Sequence, residues 1–405
     1  MSKPLEDVSV VEVAGYVAVP SAGAILADLG ADVVRIEPLR GDPWRGQARR
    51  PKVADELRNY DYQFAVSNRG KRSIALDLST DAGADLVQQL VARSQIFICN
   101  MLVHRQERLG LDPATLQAVN PTLVHGTLTG YGTTGPDAWR PGFDVTSFFA
   151  RSGMMEAERE DVDSPPPMPR PGQGDHTAGL ALLSAVLVAL RQAERTGKGQ
   201  IIETSLLEAA VWTLACDYAI TAVDHAPVPH RARENAIIAT NNRFPCGDGR
   251  WLVITMPGPA NWAKLCLAIG RHEWLDEERY ASPRDRLRLM PEIVAGIDAA
   301  LASRSRDEWG EVFDREGIVW APVQTLGEVV VDPQATALGL FCDIEGTEVG
   351  TIPSVRIPMQ FHTADAGPAG PAPDIGQHTD EVLSDLGLDG AAIAKLEAEG
   401  VIRRG

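Results

Sequence analysis

One carboxylate stands out by its setting. Asp175 closes the run Arg170-Pro171-Gly172-Gln173-Gly174-Asp175 and opens an apolar stretch from Thr177 to Leu190. A carboxylate at the end of a glycine loop, on the first turn of a buried helix, has the setting of a nucleophile. The positive end of the helix and the free N–H groups of that turn stabilise its charge, and the flanking glycines let a ligand approach the backbone. Asp is also a favoured N-cap, so local sequence leaves both roles open. His176 either orients the nucleophile or faces solvent from the same turn. No other constellation competes. His104, His125, His225, His230, His272, His362 and His378 show no metal spacing, and no hydroxyl triad is legible.

Composition narrows the chemistry. The chain has 405 residues and a net charge of −17, which argues against a nonspecific grip on nucleic acid or an anionic membrane. Within that acidic whole, the segment Arg35 to Arg72 holds ten Lys or Arg against five Asp or Glu. A local basic patch suits a small phosphate-bearing ligand; for any one residue a solvated surface ion pair is the competing reading. Cys99, Cys216, Cys246, Cys266 and Cys342 are odd in number and widely spaced, as expected in a reducing compartment. With no signal-like N-terminus and no run of eighteen apolar residues, the expectation is a cytoplasmic protein.

The elements that must position Asp175 alternate. Val8 to Val13, Ala31 to Ile36, Ser73 to Leu78, Gln95 to Cys99 and Leu123 to Thr129 have the apolar runs of buried strands. Ser21 to Leu29, Asp81 to Arg93 and Pro113 to Val119 have the pattern of helices, with Gly30 as a stop and Leu86, Leu90 and Val91 inward on the second. Such alternation predicts an α/β fold with a Rossmann-like parallel sheet, whose ligands lie beyond the strand C-termini. The first turn, Ala14-Gly15-Tyr16-Val17-Ala18-Val19-Pro20, lacks G-x-G-x-x-G, so a dinucleotide site is not supported. A proline-rich loop, Asp161 to Gly172, leads stiffly to Gly174-Asp175. After the apolar helix come a turn at Arg195 to Gln200 and a strand at Ile201 to Thr204. From about His225 to Thr325 the texture changes to one strand, Trp251 to Thr255, among helices at Trp262 to Ile269, Met290 to Ala302 and Arg306 to Arg315. That predicts a smaller α+β domain. Ala364 to Ala372 reads as a connector to a last helix at Asp380 to Leu386.

Several separated motifs then converge. They are Pro4-Leu5-Glu6-Asp7-Val8, Ala27 to Glu37, Asn68 to Ile74, Glu107-Arg108-Leu109-Gly110, and Gly130-Tyr131-Gly132 with Gly135-Pro136. Arg140 to Asp144, Gly174-Asp175, Thr196 to Gln200 and Gly376 to Leu383 complete the set. In this order the chain resembles the class III CoA-transferases, the group of formyl-CoA and carnitine CoA-transferases with α-methylacyl-CoA racemase as a side branch.

That resemblance implies coenzyme A, as acyl-CoA, and a carboxylic acid as substrates, with no metal. It places Asp175 at the family's catalytic aspartate: attack on the donor thioester gives an aspartyl-acyl anhydride and CoA thiolate, and the thiolate then forms an aspartyl-CoA thioester that an acceptor carboxylate opens. N–H groups from Gly174 to Thr177 are the expected oxyanion donors. By resemblance Tyr16, Val17 and Ala18 pass the pantetheine, Arg69, Lys71 and Arg72 face the nucleotide, and Asn100 and Met101 wall the adenine side. Arg108 meets a phosphate, and Leu128 to Tyr131, with Gly130 and Tyr131 at its end, line the channel. The formyl-type arginine after Ile36-Glu37 is replaced by Pro38-Leu39, with Arg40 as its expected substitute. Phe143 stands where the racemase branch has histidine, which disfavours α-proton exchange. Residues 233 to 251 lack the family's long glycine-rich lid, which disfavours a one- or two-carbon acyl group; Phe148, Phe149, Met154, Met155 and Trp212 are expected to line a roomier acyl pocket. The implied layout is a CoA-binding domain at 1–205 completed by 340–405, a linker helix at 206–224, a small domain at 225–325 and a return at 326–339, in an interlocked homodimer. A CoA-dependent racemase or isomerase, or a noncatalytic acyl-CoA-binding protein, are the alternative readings.

Overall fold

Six strands line up in parallel: β1 (Ser9–Val13), β2 (Asp32–Glu37), β3 (Arg72–Leu76), β4 (Ile96–Cys99), β5 (Val124–Thr129) and β6 (Gln200–Ser205). The structure, a computed structural model, describes residues 2–47, 51–230, 232–256, 258 and 260–405. Contacts divide the chain into two units: 1–154 with 168–225 and 335–405, and 155–167 with 226–334.

In the first unit the sheet order is β12-β3-β2-β1-β4-β5-β6, where β12 (Ile402–Arg403) adds an antiparallel edge. The chain winds outward from β1 to β3, then returns to β4 on the other side of β1. That reversal opens a crevice at the C-terminal ends of β1 and β4, where ligands of such sheets bind. Strand residues such as Val11, Ile74, Ile96, Phe97 and Ile98 are completely buried, as covered parallel strands require.

Helix α1 (Ala18–Asp28) follows β1 and is buried along its whole length. Its small residues are needed for contact: a Cβ on Gly23 would overlap the Glu12 carboxylate beneath it. Helix α2 (Val103–Arg108) follows β4, and helix α3 (Gln173–Thr196) packs on the sheet and on α1. By length and composition alone α3 could cross a membrane. Here Ala178, Leu182, Leu183, Val186 and Ala189 are buried, and a Cβ on Gly179 would meet Ala18 O at 2.7 Å. Helices α4 (Leu206–Thr213) and α5 (Ala215–Asp224) replace the single linker helix expected at 206–224, with a bend of 86° between them.

The second unit holds a three-stranded antiparallel sheet, β7 (Asn241–Pro245), β8 (Trp251–Thr255) and β9 (Trp320–Pro322), where only β8 was expected. Asn241-Asn242-Arg243 has little intrinsic strand preference and is held by pairing with β8. Residues 155–167, expected in the large domain, belong to this unit. Glu156 pairs with His230 at 3.3 Å and Glu160 with Arg243 at 3.4 Å. The hairpin β10 (Phe341–Thr347) and β11 (Gly350–Val355) in the first unit was also missed, because only Ile344 and Ile352 of it are buried.

Candidate active site

The crevice at the reversal point is the mouth of a cavity of about 1030 Å³ in the first unit. The turn after β1 forms one wall. Asn100, directly after β4, ties that turn across the crevice: its Nδ2 donates to Gly15 O at 2.7 Å and its Oδ1 accepts from Gly15 N at 3.3 Å. Tyr16, next in the turn, has a left-handed backbone with φ 64°, a conformation that costs a side-chain-bearing residue about 1–3 kcal/mol. Its N–H donates to Asp42 Oδ1 at 3.2 Å, and the Trp44 N–H donates to the same oxygen at 2.8 Å.

A buried ion network holds Asp42. Arg35, wholly enclosed, pairs with the Asp42 carboxylate, donates to Glu12 Oε1 at 2.7 Å and to Asn68 Oδ1 at 2.5 Å. Lys71 reaches Glu12 Oε2 at 2.7 Å and Pro20 O at 2.9 Å, and burial pushes its pKa down to about 8 despite Glu12. Arg35 and Lys71 lie on or beside strands buried on both faces, where charge persists only if paired.

The expected nucleotide-facing role of Lys71 is therefore corrected, and so are those of Arg69 and Arg72. Arg69 is buried against Asp28 at 2.7 Å and donates to Val355 O at 2.7 Å. Arg72 bridges Asp32, Glu381 and Asp385. None of the three lines the cavity. Of the basic segment 35–72, Arg40 alone among the described residues reaches it; Arg49 and Arg50 lie outside the described residues.

What lines the cavity is a different basic set. Arg40 follows β2, and Arg105 and Arg108 lie one turn apart on α2. Among the described residues none of these three guanidinium groups has an ion-pair or hydrogen-bond partner, so all are free for an anion. Arg105 was missed, although its spacing of three from Arg108 puts both on one helix face. Tyr16, Val17, Ala18, Met101, Leu128 and Gly130 are also on the wall. Tyr131 is not; its ring faces Arg140, 5.5 Å away.

Asp175 lies in the same cavity, with Phe143, Asp144 and Gly172. It sits on the first turn of α3, whose N-cap is Gly172 at φ 86°. Asp144, in a wide π-type turn over Asp144–Ala150, is buried and accepts the Gly172 N–H at 2.6 Å. That clamp fixes where α3 begins. Gly174 is required there, because a Cβ would land 2.5 Å from the Phe148 ring. The first N–H to bond back along the helix is that of His176, to Gly172 O at 2.9 Å. The N–H groups ahead of the ladder are thus those of Gln173, Gly174 and Asp175, so the expected set 174–177 loses His176 and Thr177 and gains Gln173.

Among the described residues no donor pairs with the half-buried Asp175 carboxylate. Burial, and secondarily the nearby Asp144, push its pKa up to about 7. The expectation that the helix end would hold the charge down is thus outweighed. A helix terminus contributes at most about 2 kcal/mol, whereas a rise from 3.8 to about 7 corresponds to about 4 kcal/mol. His176 is exposed and does not line the cavity.

The expected acyl-pocket residues are elsewhere. Phe148, Phe149 and Met154 are core, Met155 does not line the cavity, and Trp212 is 81% exposed on α4. The aromatic rings in Asp175's cavity are instead those of Tyr16, Trp44 and Phe143, set among aliphatic lining residues such as Val17, Met101, Leu128 and Leu206. Among the described residues no group of three His, Cys, Asp or Glu could hold a metal ion.

Residues 5–379 match the profile of CoA-transferase family III. The chain is 30% identical over 403 residues to the (R)-2-hydroxy-4-methylpentanoate CoA-transferase of Clostridioides difficile, covering 98% of this chain and 99% of that one. It is 30% identical over 387 residues to a succinate–glutarate CoA-transferase of Agrobacterium fabrum, covering 95% and 96%. A crystal structure of a CAIB/BAIF family protein from Brucella suis superposes with a TM-score of 0.81 at 29% identity, covering 95% and 100%.

Proposed function

The chain belongs to CoA-transferase family III and is an acyl-CoA:carboxylate CoA-transferase; we propose that Asp175 carries the transfer through covalent intermediates. One oxygen of its carboxylate attacks the donor thioester carbon, the C–S bond breaks, and CoA thiolate leaves an aspartyl-acyl anhydride. The thiolate attacks the aspartyl carbon, releasing the donor as a carboxylate and leaving an aspartyl-CoA thioester. An acceptor carboxylate attacks that carbon and expels the thiolate, leaving a second aspartyl-acyl anhydride; the thiolate then attacks its acyl carbon, forming the new acyl-CoA and releasing the Asp175 carboxylate. Each step exchanges one acyl bond for another, so no oxidant or external base is required.

The observation that carries this reading is the Asp175 carboxylate itself: without a partner among the described residues, half-buried and opening on a cavity of about 1030 Å³. A pKa near 7 keeps it partly ionised at neutral pH while making it a stronger nucleophile than a solvated carboxylate. The N–H groups of Gln173, Gly174 and Asp175 supply donors for the oxyanions. Arg40, Arg105 and Arg108 supply the unpaired charge that the CoA phosphates require.

The test is to incubate the protein with a panel of acyl-CoAs, add hydroxylamine or borohydride, and map the modified residue by mass spectrometry. A donor-dependent adduct on Asp175, absent in Asp175→Ala, supports the mechanism. No adduct with CoA still bound would instead favour the racemase or binding-protein reading. Phe143 argues against the racemase, because an exposed phenyl ring lines the cavity where that chemistry needs a base.

We also propose the interlocked homodimer. Its support is apolar surface on the bent pair α4 and α5, where Trp212 and Val223 are each 81% exposed and Ile220 is 65% exposed. A second copy is the occupant that the family resemblance implies. A monomeric mass by light scattering would refute it.

A further inference from the structure

We propose that the acyl group handled beside Asp175 is apolar and singly charged as a free acid, of the aromatic or branched-chain class, and that the facing rings of Tyr16 and Phe143 recognise it. The proposal rests on the transferase reading above and names its substrate class.

The two rings meet edge to face, with centroids 5.1 Å apart and planes at 80°, and Trp44 extends the group 6.5 Å beyond Tyr16. All three line the cavity, yet Tyr16 is 38% and Phe143 51% exposed. Apolar rings left open on a cavity wall are the usual means of binding apolar ligand surface.

Their place is set by the chain. Phe143 directly precedes Asp144, which clamps the N-cap of Asp175's own helix and acts electrostatically on Asp175. Tyr16 is kept in its left-handed conformation by Asp42, itself anchored on buried Arg35. Strain held by a buried ion network is characteristic of a site residue, not of a passive turn.

Within this chain, charge next to Asp175 opposes the competing class. A dicarboxylic acyl group, such as a succinyl chain, brings a second carboxylate to the reacting end of the cavity. Among the described residues Asp144 is the one charged group that acts on Asp175, and it repels. No Lys or Arg among the described residues acts on Asp175; Arg170, five residues earlier, neither lines the cavity nor perturbs it. An unpaired charge facing a like charge is a strong discriminator between substrates.

The experiment compares kcat/KM for 3-phenylpropanoyl-CoA, 4-methylpentanoyl-CoA and succinyl-CoA as donors, with adduct mapping on Asp175 in parallel. The wild type is expected to prefer the first two by at least about tenfold, the scale on which apolar pockets discriminate. Phe143→Ala should lose about tenfold on the phenyl donor and little on succinyl-CoA, and Phe143→Arg should shift the preference toward succinyl-CoA. Phe143 is half exposed, so both variants are expected to melt like the wild type. Equal or better use of succinyl-CoA by the wild type overturns the proposal, as does an equal loss on all donors in Phe143→Ala, with the transferase reading intact in either case. No adduct from any donor removes the covalent role of Asp175 and the acyl preference with it.

Discussion

The raised pKa of Asp175 makes a prediction with two independent readouts. If its midpoint lies near pH 7, about one tenth of the carboxyl groups are ionised at pH 6 and about nine tenths at pH 8. Donor-dependent acylation, and kcat/KM for the donor, should therefore rise about ninefold between those pH values and level off above them. An ordinary carboxylate would give a flat profile over the same range. The substrate's 3′-phosphate also titrates, near pH 6, and Asp144→Asn separates the two. Removing the Asp144 charge lowers the Asp175 midpoint and moves the profile to lower pH, while a profile set by the phosphate would stay in place.

Stability supplies the second readout. The folded carboxyl is raised above its unfolded value of 3.8, so the native state holds the extra proton between that value and about 7. Stability falls as pH rises through that window, by up to about 4 kcal/mol once the group is charged. Asp175→Asn removes the cost, so its gain in melting temperature over the wild type should be larger at pH 8 than at pH 5. A pH-independent difference, together with a flat rate profile, would refute the claim that Asp175 is held in a desolvated site beside Asp144.

Other parts of the site make shorter predictions. Arg105→Ala and Arg108→Ala should each weaken CoA binding by about tenfold at low salt and less at high salt, measured by calorimetry; unchanged affinity in both would exclude α2 from the phosphate site. Asp42→Ala leaves buried Arg35 short of a partner and frees the Tyr16 turn. It should cost about 3 kcal/mol or more in denaturant unfolding and raise KM for the donor, and retention of both values would show the network to be inert. Gly174→Ala forces a Cβ into the Phe148 ring and should destabilise by about 1–3 kcal/mol with loss of acylation; a wild-type melting curve would mean that the start of α3 can shift freely.

The parallel sheet was legible because its strands are buried on both faces and carry unbroken apolar runs, and the crevice position follows from the winding order. The elements that escaped are those whose pattern is made by partners: β7 is polar and held by β8, and the β10–β11 hairpin buries only Ile344 and Ile352. Asp175 was readable from its glycine loop, yet the sign of its pKa shift was not. Local sequence shows the helix end that lowers it but neither the burial nor the Asp144 carboxylate, brought from 31 positions earlier, that raise it.

Basic residues teach the same lesson more sharply. Counting Lys and Arg located a cationic segment, but a count does not say which charges are already neutralised. Arg35, Arg69 and Lys71 lie among buried elements that also bring in Glu12, Asp28 and Asp42, so their charge is consumed inside the protein. Arg40, Arg105 and Arg108 sit outside the strands, beyond the sheet's C-terminal edge, where among the described residues no acidic partner reaches them. In an acidic chain a free arginine is the informative one. The distinction turns on topology, since a cation within a two-sided parallel sheet must be paired to be buried at all, while one on the loops at the strand ends is left to the ligand.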